Sequence, residues 1–306
     1  MIRRAFKIWP ACIVFLGYLT IGCLIKYHAQ GIGFSVDQLW PNYLHLQNYF
    51  GSIRAHTWSL SVEEHFYLAL PLVLLLFLRW GRPRPAGLHA MPWFTLALII
   101  VCTGLRYWNA TRHPFTYVTH QYPTHLRIDG LFFGVYLGYL YHFHPVFMTW
   151  LARYRWYVLI AGFVLLSPWA VWELEKSVMM QSFGFAYLYL GYGAILLFAV
   201  SRPTPKAPGR ISGIAGAIAS LLAFIGYYSY SIYLWHVDGG AKPVHVLLEH
   251  GVGAGWSPPV LWGITMSLFI VLGSLTGILL SRLVEMPVLV LREKLYPSPD
   301  RPIEAK

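Results

Sequence analysis

Apolar residues in this chain come in long runs, not in the two-residue alternation of half-buried strands or the narrow stripe of a surface helix. A hydrocarbon layer of roughly 30 Å takes about 20 mostly apolar residues in helical form. Runs of that order are expected at 8 to 26, 62 to 79, 91 to 105, 128 to 143, 156 to 172, 184 to 200, 214 to 235 and 259 to 281. Water is absent at that depth, so backbone N–H and C=O groups must be satisfied inside each segment, which selects helix. The pattern predicts an all-α, polytopic transmembrane helix bundle of about eight spans.

The polar interruptions differ in kind. RPRPAG and SRPTPKAPGR are short Pro-rich turns, whereas 27 to 61 and 106 to 127 are longer and rich in His, Tyr and Trp. Neither an internal repeat nor a soluble module breaks the series. Residues 1–296 are therefore expected to form one membrane domain and 297–306 a cytoplasmic tail.

Composition agrees with the runs: of 306 residues 57% are hydrophobic and 11% charged, with a mean hydropathy of +0.52. The net charge of +11 would suit nucleic acid if it formed a stripe, but the cations fall in clusters between apolar runs, which points to topology and to no nucleic-acid partner. Alternating the connections puts sixteen of the 23 Lys and Arg on one side, including Arg3, Arg4, Lys7, Arg79, Arg153, Arg155 and Arg282, against seven on the other. By the positive-inside rule both termini are expected to be cytoplasmic. The lead MIRRAFKIWP lacks a small-residue cleavage site and reads as the start of the first span, not a signal peptide. Cys12, Cys23 and Cys102 have no paired spacing and read as packing residues.

Candidate chemistry concentrates in HTWSLSVEEHFYLALPLVLLLF, residues 56–77. Ser61 and Glu64 fit a capping box, which assigns them to a helix start. That leaves Glu63 with His56, Ser59 and His65 as an ionisable cluster at the entrance to an apolar run, where a low dielectric suits a general acid or base. Arg127 and Asp129 introduce another span, either as an interfacial pair or as site residues. The loop histidines His113, His120 and His125 match no common ligand spacing, so no metal is expected.

HTWSLSVEEHFYLALP resembles the signature of the membrane-bound acyltransferase 3 family, and four further stretches resemble its segments in order: RRAFKIWP, THLRIDGLFFG, IGYYSYSIYLWH and VEMPVLVLREKL. Together they reach from Arg3 to Arg292. The resemblance implies a membrane acyltransferase, moving groups other than aminoacyl, that passes an acyl group, commonly acetyl, from acyl-CoA to a hydroxyl of a sugar or cell-envelope glycan. Acyl-CoA is then a donor substrate, and no permanently bound cofactor is expected. Arg4 and Lys7, with Arg3, match the family's cationic element at the donor side, a lysine replacing its second arginine. Glu63, His56 and His236 are the catalytic candidates; Ser59, Arg127 and Asp129 are acceptor-side or structural. His236 closes SYSIYLWH, where it also reads as a helix C-cap. Glu285 matches the family's acid before proline and is expected to be structural.

Family members usually begin with two further helices, the first carrying a histidine that is the leading candidate for the base; no such stretch precedes Arg3. The domain is thus expected to be N-terminally incomplete, with the hairpin supplied by a longer start, by a second chain, or lost in an inactive remnant. The expected partners are the bilayer, the glycan acceptor, acyl-CoA and that possible second chain, in a bacterial inner membrane. A transporter or flippase for a sugar or lipid-linked sugar is the alternative, in which the same acids and histidines relay protons.

Overall fold

A computed structural model describes residues 2–31, 39–80, 86–201 and 214–297, and among these the secondary structure is helical with no strand. Each expected span has its helix: α1 Ile2–Gln30, α2 Trp58–Trp80, α3 Met91–Arg112, α4 Ile128–Phe143, α5 Pro145–Leu166, α6 Phe185–Val200, α7 Ile214–His236 and, after a short amphipathic α8 at Lys242–Glu249, α9 Pro258–Leu280. A further helix, α10, covers Met286–Leu295. Among the described residues, seven helical segments are long and apolar enough to cross a membrane. The remaining expected span, α4, has 16 residues and reaches only about 24 Å at 1.5 Å per residue. The chain is an integral, multi-pass membrane protein.

The largest departure from the expected boundaries is in the fifth helix. The fifth helix begins at Pro145, not near 156, and bends at Tyr154, whose φ of −106° and ψ of 16° are not helical. Arg153 and Arg155 interrupt the apolar run, but their guanidinium groups lie over rings: Arg153 over Tyr154 at 5.7 Å, Arg155 over Phe198 at 4.8 Å. Long cationic side chains covering aromatic surface let the helix continue where hydropathy alone stops it. Arg82, Arg84, Arg202, Lys206, Arg210, Arg301 and Lys306, and the expected tail beyond Pro297, lie outside the described residues.

The chain divides into two compact units, Val36–Lys206 and the combination of Met1–Ser35 with Ala207–Lys306. In the central unit, Phe132 of α4 receives the edges of Phe66 from α2 and Phe94 from α3, at centroid distances of 5.1 and 5.2 Å. The backbones of α5 and α6 meet at Gly162 and Gly191; a Cβ on Gly191 would come within 2.7 Å of Leu166 Cγ and 3.0 Å of the Gly162 carbonyl. Such small-residue contacts are how helices pack closely where lipid removes the hydrophobic drive between them. Along the opposite face of α2, Leu68, Leu72 and Leu75 are 62%, 62% and 60% exposed, a stripe at helical spacing suited to lipid.

In the terminal unit, Gly277 of α9 presses on α7, where a Cβ would sit 2.5 Å from the Ile232 Cα. Phe15 of α1 is buried edge-on against Trp235 at 4.9 Å. Two π-turns continue helices here, Val237–Ala241 between α7 and α8 and Ser281–Glu285 between α9 and α10. A third, Met180–Gly184, leads into α6 of the central unit. Such turns break the regular hydrogen-bond ladder and recur at functional positions.

Candidate active site

The HTWS stretch is held by a buried polar network built from the loop before it. Asn42, Gln47, Asn48 and Thr57 are all buried. Ser52 Oγ donates to Asn42 Oδ1 at 2.6 Å and lies 2.9 Å from Thr57 Oγ1, while Gln47 Nε2 donates to the Thr57 carbonyl at 3.0 Å. Thr57 Oγ1 closes the turn on the Arg54 carbonyl at 2.8 Å. In a low-dielectric setting these bonds favour one geometry, because each lost partner would strand a further buried polar group beside Gln47 Oε1 and Asn48 Oδ1, which have none. The threonine of the motif is therefore a positioning residue, with the single turn Ala55–Thr57 carrying straight into α2.

That turn corrects the helix start expected from Ser61 and Glu64. The helix begins at Trp58, so Ser61 lies inside its first turns, fully buried, and its hydroxyl has no hydrogen-bond partner. Neither residue caps α2. Glu64 instead faces His45, whose pKa is lowered by burial, with the Glu64 charge opposing that shift and His65 reinforcing it. His45 also adopts φ 54°, a left-handed conformation uncommon for a non-glycine residue. His65 Nδ1 and Asn48 Nδ2 both meet Thr124 Oγ1, at 2.7 and 2.8 Å, tying α2 and the loop to the THLR segment. His125 stacks on Tyr49, with Nδ1 3.1 Å from the phenol oxygen, and its pKa is lowered by burial.

Behind this network, α2, α4 and α6 enclose a cavity of about 380 Å³. Ser59, Val62 and Glu63 supply one wall at helical spacing; Arg127, Asp129, Gly130 and Phe133 supply the second; Phe185, Tyr189, Tyr192 and Leu196 the third. From Phe185 to Leu196 the α6 wall extends about 16 Å at 1.5 Å per residue. Four candidates named from sequence, Ser59, Glu63, Arg127 and Asp129, thus line one cavity. His56 lies half-buried in the turn before α2 and is not part of that lining.

Asp129 and Arg127 have different roles despite their spacing. Asp129 is taken by Arg106 of α3: Nη1 meets Oδ1 at 3.1 Å and Nη2 meets Oδ2 at 2.9 Å, with both side chains 1% exposed. Arg106 further donates Nε to the Ser182 carbonyl inside the π-turn at 2.9 Å, Nη1 to the Leu126 carbonyl at 2.8 Å and Nη2 to Thr103 Oγ1 at 2.8 Å. The expected Arg127–Asp129 pair is therefore replaced by Arg106–Asp129. Arg127 lies over Phe185 at 4.0 Å and Trp58 at 5.5 Å, and Trp58 in turn stacks on Tyr122 at 5.2 Å. Burial lowers the Arg127 pKa to about 10, against the pull of Asp129, which leaves the group cationic at neutral pH. A carboxylate, a hydroxyl and a cation facing one cavity can together take a proton, align a hydroxyl and stabilise developing negative charge.

The chain matches the family described as "Acyltransferase domain" over residues 1–281. It belongs to that acyltransferase family. Several of the relatives are named as O-acetyltransferases. The chain is 25% identical to peptidoglycan O-acetyltransferase OatA of Listeria monocytogenes, aligning 77% of this chain with 38% of the relative. It is 24% identical to nodulation protein 10 of Rhizobium leguminosarum, over 96% of this chain and 76% of that protein. Several Staphylococcus aureus proteins with O-acetyltransferase in their names are 25% identical over 77% of this chain and 39% of their own length. The chain thus spans about two fifths of the length of OatA and the staphylococcal relatives. No solved structure matches it.

The remaining family-matched positions lie in the terminal unit. Arg3 is engaged by Glu293, Nη2 to Oε2 at 3.0 Å, and by the Tyr296 carbonyl at 2.7 Å. Arg4 is half-buried one turn before Lys7's neighbours on α1, and Lys7 lines a second cavity, about 370 Å³, with Tyr227, Glu285, Arg292 and Glu293. Glu285 is 1% exposed and accepts from Ser231 Oγ at 2.8 Å and Ser281 Oγ at 2.9 Å. His236 does not end its helix: α7 runs on through a π-turn, and Nδ1 donates to the Tyr233 carbonyl at 2.7 Å. Two residues on, the Asp238 side chain is buried in an ion pair with Lys242.

Missed from sequence were Arg106, Thr57, Trp58, Tyr189 and Tyr192. An arginine in the last turns of an apolar run with no acid near it on the same helix was the available signal for Arg106.

Proposed function

We propose that the chain is a membrane O-acyltransferase that moves an acyl group, acetyl foremost, from an acyl-CoA donor to a hydroxyl of a cell-envelope glycan or sugar, in a bacterial inner membrane with both termini cytoplasmic. The observation that carries this reading is the convergence of Ser59, Glu63 and Arg127 on one cavity inside the helix bundle, in a chain of this family. The names of the relatives support acetyl as the group transferred.

In the reaction the Glu63 carboxylate takes the proton of the acceptor hydroxyl as its oxygen attacks the thioester carbonyl carbon. The C–S bond breaks, the thiolate leaves, and the proton on Glu63 is returned to solvent or to the thiolate. Ser59 donates to the oxyanion formed on the way. Within the terminal unit, Lys7, Arg4 and Arg292 are a cationic set whose chemistry suits phosphate groups such as those of acyl-CoA, a point charge at Lys7 and planar forks at the arginines.

Glu63→Gln keeps the size of the side chain and removes the base. Transfer of labelled acetyl from acetyl-CoA to envelope glycan, in membranes carrying the intact chain, is expected to fall by about 10²- to 10⁴-fold, with Glu64→Gln close to wild type. Transfer undiminished in Glu63→Gln rejects the assignment.

A further inference from the structure

Among the described residues Arg127 is the one cation lining the central cavity, and no ion pair holds it there. Asp129, two residues on, has both carboxylate oxygens committed to Arg106. Among the described residues no carboxylate is in ion-pair contact with Arg127, and its neighbours are the faces of Phe185 at 4.0 Å and Trp58 at 5.5 Å. Aromatic faces hold a guanidinium in place without using its N–H donors, so the fork remains directed at whatever fills the cavity. A planar fork of this kind recognises carboxylate or phosphate through two parallel hydrogen bonds.

We propose that Arg127 selects an acceptor carrying an oxyanion, a carboxylate or a phosphate, near the hydroxyl that is to be acylated. This rests on the acceptor occupying the central cavity, as in the function proposed above, and adds its chemical class. Glu63 and Ser59 on α2 address the reacting hydroxyl, while Arg127, on the wall that leads into α4, holds the anionic group. A neutral sugar would leave the Arg127 donors without a partner, and that unmet desolvation is what discriminates against it.

The test is equilibrium binding to the full chain in phosphatidylcholine nanodiscs, without an acyl donor, so that its outcome is separate from whether transfer occurs. The probes are glucose, glucuronate and glucose 6-phosphate, read by saturation-transfer NMR. Glucuronate or glucose 6-phosphate is expected to bind at least about tenfold more tightly than glucose, the scale of one charge-assisted contact. The preference should disappear in Arg127→Gln and partly return in Arg127→Lys, each variant being checked for an unchanged unfolding temperature. Which anion binds more tightly tells carboxylate from phosphate. Equal binding of all three sugars by the wild type, or a preference that survives Arg127→Gln, overturns the proposal. So does a preference abolished by phosphatidylglycerol in the nanodisc, since Arg127 then serves a lipid headgroup.

Discussion

Arg106 and Asp129, 23 residues apart in sequence, form a two-point ion pair at 2.9 and 3.1 Å with each side chain 1% exposed. This pair joins α3 to the start of α4, and through the Ser182 carbonyl it also fixes the π-turn that leads into α6. Two of the three cavity walls are thereby set by one guanidinium. The carbonyl that Arg106 takes lies within that irregular turn, and the pairing commits both Asp129 oxygens away from Arg127.

Breaking the pair from one side strands a buried charge. Arg106→Ala and Asp129→Ala are each expected to lose about 3–5 kcal/mol of stability, seen as a large drop in unfolding temperature in detergent. Replacing both by apolar residues of similar volume, Arg106→Met with Asp129→Leu, should recover most of that loss. A double variant as unstable as the sum of the singles would mean the pair is not the interaction that matters.

Ser61 separates two accounts of the helix start. A capping serine costs about 1 kcal/mol on replacement by alanine, but a buried hydroxyl without a partner costs nothing when removed and its loss can stabilise by a similar amount. Ser61→Ala is therefore expected to leave the unfolding temperature unchanged or raise it. A fall of several degrees would restore the capping role.

Much of the fold was legible because membrane helices obey a length rule: every apolar run of spanning order became a helix. Arg153 and Arg155 hid the beginning of α5, since hydropathy counts their charge and not the rings they cover. The site was half legible. Ser59, Glu63 and Arg127 were named from one short motif and one loop, and they share a cavity. The Arg106–Asp129 pairing was not, because Arg106 ends an apolar run and reads as a loop charge until a distant helix supplies the acid. Likewise SxxE fits a capping box on local grounds alone, and only the Asn42–Ser52–Thr57 network shows that the helix starts one turn earlier. The π-turns have no pattern in the sequence to betray them.

Gly277 marks a close backbone approach in the terminal unit, with a Cβ placed 2.5 Å from Ile232 Cα and 2.7 Å from its nitrogen. Backbone atoms cannot rotate away as a side-chain tip can. Gly277→Val should force α7 and α9 apart and destabilise the unit by about 3 kcal/mol or more, whereas Gly263→Val on the same helix α9, with open space around it, should be tolerated. Comparing the monodisperse yield and unfolding temperature of the two variants checks this; equal behaviour would remove Gly277 as the packing contact.

His45 gives the loop network a pH dependence of definite sign. In the unfolded chain its imidazole has the ordinary value of 6.5, and burial lowers it in the fold. The unfolded state therefore binds the proton more readily, so stability is full above pH 6.5 and is lost as pH falls through the lower folded value. His120 and His125, lowered by burial as well, shift in the same direction. The unfolding temperature should drop as pH goes from about 7 to about 5, and His45→Asn, which tolerates the left-handed φ, should flatten part of that slope without abolishing it. A slope identical in the variant would assign the acid sensitivity to the other two histidines.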